Sequence, residues 1–283
     1  MTEISESTVL LTGATGGLGP AIARALASEN ARLVLSGRRD DALRALAAEL
    51  STGGAPEPAW VAADLHDRHD LTTLVDRAER AAGPVDILVH NAAVDACVAF
   101  EQVTPEELDE VVAVNLVAPL ELTRDAIGGM LERGRGHVVF VSSLSGFAGT
   151  AFESPYAATK GALNALSRSL RAEYAGRPVE FSLVAPGSVA GEGMFARGQR
   201  DGIQVPRALR LTTPEAVGRA VVAAVRDDAP ELLVYPGPIK PALLLGTLAP
   251  RLSERLNARL GLATLFRPAA EARGRAQTQG RPS

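Results

Sequence analysis

Short apolar runs alternate along this chain with longer stretches rich in alanine and leucine, and that alternation leaves few folds open. A run of about five apolar residues bounded by turn formers reads as a strand buried on both faces. An alanine- and leucine-rich stretch with charges at helical spacing reads as a helix laid over it. Strands are expected at about 8–12, 32–36, 59–63, 85–90, 137–142, 179–185 and 231–235, with helices in the gaps. Regular alternation of this kind implies an α/β class, a doubly wound parallel sheet of about seven strands with helices on both faces.

Several helices announce their starts. Thr104, Pro105 and Glu107 supply a cap, a first-turn proline and a capping-box acid, and Thr213 with Pro214 repeats the first two. Pro155 suits a first helical position with Ser154 as its cap. No linker-like stretch interrupts residues 1–238, so they are expected to form one domain.

The first strand runs directly into T-G-A-T-G-G-L-G. Glycines at this spacing permit a tight strand-to-helix turn and let a pyrophosphate approach the backbone, where the helix N-terminus stabilises its charge. Gly13, Thr15, Gly17, Leu18 and Gly19 are therefore candidate dinucleotide-binding residues, and the sheet is expected to be Rossmann-type. An NAD site would offer a carboxylate about 20 residues further on to hold the ribose 2′-hydroxyl. Residues 31–39 contain no acid, and the second strand ends S-G-R-R. Arg38 and Arg39, with Ser36, suit a 2′-phosphate, which favours NADP (as NADPH) over NAD. The other reading is that both arginines are surface residues ahead of a helix capped by Asp40.

Tyr156 and Lys160 stand four residues apart in S-P-Y-A-A-T-K, with Ser143 thirteen residues upstream of the tyrosine. On a helix that spacing puts phenol and ammonium on one face. Lowering a tyrosine from about 10 to about 7 takes roughly 4 kcal/mol of phenolate stabilisation. One ammonium at ~4 Å, with an effective dielectric of ~20, supplies about that much. Among 29 Lys+Arg only Lys160 and Lys240 are lysines, so a lysine at this position stands out against an arginine background.

Together these residues resemble the short-chain dehydrogenase/reductase family, over about Val9 to Tyr235. The resemblance rests on T-G-x-x-x-G-x-G at 12–19, Asp64 after the third strand, N-A-A at 91–93, Asn115, Ser143, Tyr156, Lys160 and P-G at 186–187. It implies that Tyr156 exchanges a proton with the substrate oxygen while Ser143 hydrogen-bonds the same atom. It further implies that Lys160 binds the nicotinamide ribose and lowers the tyrosine pKa, and that Asn115 holds a water linking the lysine to solvent. Asp64, Leu65, Asn91, Pro186, Gly187 and Val189 would join the cofactor site. A homodimer or homotetramer is implied by resemblance only. From the residues alone, Asp64 remains open to a helix-capping role, and Asn91 and Asn115 to structural hydrogen bonding.

Two positions depart from the family pattern. His90-Asn91-Ala92-Ala93 stands where N-N-A-G is usual, and Gly191 takes the place of a threonine that contacts the nicotinamide carboxamide, with Ser188 the nearest substitute. The reading is an NADP-dependent oxidoreductase acting on a carbonyl or secondary alcohol, a hydrophobic ketone first. Its alternatives are an NAD-linked alcohol dehydrogenase and a catalytically idle regulator that binds NADP.

Composition narrows the rest. A net charge of -4 speaks against nucleic acid as partner and for a small molecule. The single cysteine, Cys97, permits no internal disulfide, and a polar, acidic start carries no secretory pattern, so a cytoplasmic enzyme is expected. His66, His69, His90 and His137 show no ligand spacing, and no metal site is expected. Residues 188–211 hold four glycines around Met194, Phe195 and Val205, which suits either a loop closing over an apolar substrate or an ordinary surface connection.

After the last strand, Leu248, Leu252, Leu256 and Leu260 recur beside Arg251, Arg255 and Arg259, so residues 239–267 are expected to form an amphipathic helical extension. Packing on the core or a second subunit is the first expectation, a substrate lid or membrane-surface contact the second; Pro250 and the charges forbid a bilayer span. Residues 268–283 are expected to be a disordered tail.

Overall fold

A computed structural model describes residues 2–52, 56–191, 193–206 and 209–279. Seven strands form one sheet: β1 (Thr8–Leu11), β2 (Arg32–Gly37), β3 (Ala59–Ala62), β4 (Ile87–His90), β5 (Gly136–Val141), β6 (Val179–Pro186) and β7 (Glu231–Val234). Their order is β3-β2-β1-β4-β5-β6-β7, and every neighbouring pair is parallel. Every residue of β1, β4 and β5 is buried, as a sheet covered on both faces requires.

The helices are α1 (Gly19–Ala27), α2 (Asp40–Ser51), α3 (Arg68–Ala82), α4 (Pro105–Val112), α5 (Ala118–Glu132), α6 (Ser145–Ala148), α7 (Ser154–Glu173), α8 (Gly193–Arg200), α9 (Pro214–Arg226), α10 (Lys240–Leu248), α11 (Pro250–Arg259) and α12 (Arg267–Gln279). Alternate strand residues feed two cores. Val9, Leu11, Leu33 and Leu35 pack with Ile22, Leu26, Leu43 and Val221 of α1, α2 and α9. Leu10, Leu88, Phe140 and Phe181 pack with Leu74, Leu122, Met130 and Leu163 of α3, α5 and α7. Strand order reverses between β1 and β4, which opens a crevice at their C-terminal ends, where the glycine loop and Asn91 lie.

The capping box at Thr104 and Glu107 is formed, and Thr213 caps α9. Elsewhere the structure corrects the expectation. The cap of α7 is Glu153, without a side-chain cap bond, and Ser154 is its first helical residue. Asp40 begins α2 and accepts from the Trp60 indole instead of capping; the cap position is Arg39. The stretch 188–211 contains α8 in place of a plain loop.

The extension is two helices, because Ala249 leaves helical geometry (φ -139°, ψ 65°) and Pro250 cannot continue the ladder of α10. The tail assignment also fails over Arg267–Gln279, which form α12, while residues 280–283 lie outside those described. Ala269 and Ala270 are buried against Cys97, Phe195 and Ile203, so two small apolar residues anchor a polar helix.

Two histidines are internal. His90 pairs with the Thr123 hydroxyl at 2.8 Å and His137 with Ser182 at 2.9 Å. Burial pushes them down to about 3 and about 4. Between those values and 6.5 the unfolded chain binds protons that the folded chain refuses, so each histidine removes stability as pH falls through that window. Glu153, pushed up to about 8, acts in the opposite sense, so the test compares slopes. Urea unfolding between pH 6 and pH 5 should show a stability slope smaller in His137→Gln than in the wild type by about 1.4 kcal/mol per pH unit. Equal slopes would contradict a neutral, buried imidazole.

Candidate active site

A cavity of about 1470 Å³ opens at the C-terminal edge of the sheet. Its floor is the glycine loop, and each glycine there answers a different constraint. Gly13 has φ +64°, and a Cβ on it would lie 2.6 Å from the Ala92 Cα; a Cβ on Gly19 would lie 2.2 Å from the Gly13 carbonyl oxygen. Gly17 has φ +48°. The N-terminus of α1 has no side-chain cap; the Gly19 N–H donates to the Gly16 carbonyl at 2.8 Å and Pro20 has none, so it is the positive end of the helix dipole that would favour an anion here. Thr15, Gly16, Gly17 and Leu18 line the cavity with Gly13. Gly19 is absent from that lining and serves the close packing beneath it.

Asn91 fastens this loop to β4. Its amide donates to the carbonyls of Thr12 (3.2 Å) and Gly13 (3.0 Å), while the Thr12 hydroxyl accepts from the backbone N–H groups of Asn91 and Ala92. Of the two roles open in the sequence, the side chain makes the structural one, on the cavity wall.

At the far end of the cavity Ser36, Gly37, Arg38, Arg39, Asp64 and Leu65 meet. Ser36 is buried; Arg38 lies exposed, 3.6 Å from Glu110, and Arg39 reaches the Thr15 carbonyl at 3.4 Å. Asp64 accepts from the His66 N–H, and the cap of α3 is Asp67, so capping is not the role of Asp64.

Ser143 follows β5, and Tyr156 and Lys160 lie in the first two turns of α7. All three line the cavity. The lysine is 2 % exposed; its ammonium donates to the Val141 carbonyl at 2.9 Å and stands 5.6 Å from the centre of the Tyr156 ring. Burial pushes it down to about 8, which leaves it charged at neutral pH. Tyr156 is pushed up, chiefly by burial and then by the Glu153 charge, against a hydrogen bond with Ser143 that pulls it down. This corrects the expectation that Lys160 lowers the tyrosine. Its charge is met by a backbone carbonyl, and desolvation of the phenolate wins.

A profile of the short chain dehydrogenase family matches residues 7–201. The chain is 34% identical over 278 residues to the ketoacyl reductase HetN of Nostoc sp. strain PCC 7120, covering 96% of each chain. The structure resembles a 3-oxoacyl (acyl-carrier-protein) reductase from Agrobacterium tumefaciens C58 with NADP bound, at TM-score 0.75 and 28% identity, over 83% of this chain and 95% of that one. It shares its fold with a short-chain dehydrogenase/reductase from Burkholderia phymatum in complex with NAD, at TM-score 0.77 and 23% identity, over 89% and 96% of the two chains. The chain belongs to the short-chain dehydrogenase/reductase family.

This short-chain dehydrogenase/reductase is thus an oxidoreductase of CH–OH and C=O groups that uses a nicotinamide cofactor. Among its described residues, no group of three or more His, Cys, Asp or Glu side chains is placed to hold a metal.

Of the roles open to Asn115 in the sequence, its side chain makes the structural one. It lies in a π-helical turn, Ala113–Val117, is fully buried, and is absent from the cavity lining. Its oxygen accepts from Val94 N–H, and its two amide hydrogens go to the Val94 carbonyl and the Thr159 hydroxyl, so neither is left for a water. Thr159 in turn bonds the Tyr156 carbonyl, so Asn115 ties the chain after β4 to the catalytic helix as a positioning residue.

On the remaining wall, Pro186, Gly187, Ser188 and Val189 line the cavity. Val189 pairs with Thr212, which fixes the entry to α8. Gly191 has φ +84° and open space around it, so this departure from threonine removes a side chain without crowding. Met194, Phe195 and Leu209 face the cavity, whereas Val205 does not. Phe195 stacks edge-on with Phe266 at 6.1 Å, so the segment over the cavity is held by the chain leading into α12.

One site residue was missed. Glu153 is 5 % exposed, lines the cavity and makes no hydrogen bond or ion pair through its carboxyl among the described residues. Burial first, then the Asp95 charge, pushes it up to about 8, with Arg273 opposing. It is the cap residue of α7, three positions before Tyr156, and the only signal of it in the sequence is that nearness to the tyrosine. Removing its charge should favour the phenolate. In Glu153→Gln the Tyr156 ionisation, read as the phenolate absorbance difference from Tyr156→Phe, should move to lower pH. An unmoved titration would show that this carboxyl does not reach the phenol.

Proposed function

We propose that this enzyme is an NADPH-dependent ketoreductase of hydrophobic ketones. The observation that carries the reading is a neutral phenol, a buried ammonium and a serine hydroxyl on one wall of an apolar cavity, with Arg38 and Arg39 and no acid at the end of β2. The glycine cradle, which a Cβ would fill, and the uncapped start of α1 fit a dinucleotide.

The cofactor, when bound, supplies the hydride that adds to the carbonyl carbon. Tyr156 donates its hydroxyl proton to the carbonyl oxygen, so an alcohol forms. Tyr156 is protonated at neutral pH, the state from which a donor starts, and the pair Arg38 and Arg39 favours NADPH and hence reduction over an NAD-linked alcohol dehydrogenase. Ser143 hydrogen-bonds the same oxygen where negative charge develops. Lys160 anchors the tyrosine's wall through Val141, and its ammonium would hold the nicotinamide ribose. Asp64, Leu65, Pro186, Gly187 and Val189 bound the nucleotide, and Arg38 with Arg39 pair with the 2′-phosphate.

Leu243, Leu245, Leu256, Leu262, Leu265 and Phe266 make the substrate end apolar, and the ketoacyl relatives point the same way. A homodimer or homotetramer in the cytoplasm is the setting we infer; Leu108 and Val112, exposed one turn apart on α4, offer area for a subunit contact.

Steady-state kinetics test this. NADPH should outperform NADH, and Arg38→Ala should cost about ten- to a hundredfold in NADPH efficiency with little change for NADH. Among 3-ketoacyl thioesters, kcat/KM should rise roughly three- to fourfold per added methylene until the cavity is filled. A wild-type preference for NADH, or a fall in efficiency with chain length, would overturn the respective assignment.

A further inference from the structure

Outside the catalytic cavity, the most conspicuous surface belongs to α10 and α11. Leu244, Leu248, Leu252, Leu256 and Leu260 are 59, 80, 55, 44 and 39 % exposed. Packing on the core or a second subunit is the first expectation for this stretch, and the core does not cover these leucines. The opposite sides of the same helices wall the cavity through Leu243, Leu245, Gly246, Ser253 and Asn257, and Leu256 stands at the edge, reaching both the cavity and the outer surface. The pair therefore separates the substrate space from an outward-facing leucine surface.

Charge decides what suits that surface. Residues 240–260 carry Lys240, Arg251, Arg255 and Arg259 against Glu254 alone, within a chain of net charge -4. All four cations are exposed, and none makes an ion pair among the described residues. The arginines repeat every four residues, each directly preceding an exposed leucine in the chain, so a cationic stripe borders the apolar one. A second copy seated here in a two-fold contact would bring the same basic stripe against itself, with Glu254 as the one acid to offset it. An anionic lipid surface complements both stripes. No helix among the described residues is long and apolar enough to cross a membrane, so the mode is interfacial.

We propose that α10 and α11 form a membrane-surface docking face, with the leucines entering the acyl boundary and the arginines meeting the phosphates of an anionic bilayer. The wall between cavity and outside then lies against lipid, from which an apolar ketone has a short path to Tyr156. The docking face stands on its own geometry and does not depend on the choice of cofactor.

Flotation of the full chain with vesicles tests it. The protein should rise with phosphatidylcholine vesicles containing phosphatidylglycerol, less with pure phosphatidylcholine, and less again at high salt. Leu248→Ser with Leu252→Ser, and separately Arg251→Ala with Arg255→Ala, should each lower the partition coefficient roughly tenfold or more. Circular dichroism and light scattering accompany each variant. Unchanged helicity and particle mass with lost flotation support the proposal. Failure of the wild type to float with anionic vesicles would overturn it, as would flotation indifferent to both variants. So would a leucine variant that falls from oligomer to monomer without lipid, because the face would then belong to a second copy.

Discussion

A parallel sheet buried on both faces sends every strand-to-helix connection to one edge, and the reversal of direction between β1 and β4 splits those connections apart. Everything chemical in this protein depends on that split. Thr12 and Asn91 pin the two sides of the crevice together, and the glycines allow the chain to turn within it. The segments after β5 and β6 bring Ser143 and Gly187 to the same opening. Asn115, acting through Val94 and Thr159, fixes the angle at which α7 presents its tyrosine.

Within the cavity, desolvation is the dominant electrostatic force. It pushes Lys160 down to about 8 and Glu153 up to about 8, and it raises Tyr156. A point-charge estimate for an exposed pair at ~4 Å makes the lysine sufficient to acidify the phenol. The actual ammonium is spent on Val141 and faces the ring, so burial prevails and the phenol keeps its proton. Glu153 adds a buried carboxyl to the wall, within reach of the Asp95, Arg273 and Cys97 charges, and couples the tyrosine to the C-terminal helix.

Much of this was written locally in the sequence. Strand positions could be read because parallel strands are continuous apolar runs, and the predicted set matches the seven strands to within a residue or two at each end. The Thr104 and Thr213 caps depend on two or three adjacent residues, and so were also visible. The glycine loop and the Ser143, Tyr156 and Lys160 spacing were visible for the same reason. What was not visible depended on distant contacts. α12 has a polar composition and folds because Phe195, Ile203 and Cys97 receive Ala269 and Ala270. Glu153 gave no local signal, because the charges that surround it, Asp95 and Arg273, belong to segments far along the chain. The single amphipathic helix expected after β7 broke at Pro250, where a backbone rule outweighed a leucine repeat that ran across it.

The central claim is that the Tyr156 hydroxyl delivers the proton that accompanies hydride. Tyr156→Phe keeps the ring, the packing and the cavity while deleting one oxygen. Measured side by side, its NADPH affinity and its rate of ketone reduction should separate: binding stays within a few fold of wild type, and turnover falls by about two to four orders of magnitude. Turnover within a few fold of wild type would contradict the account.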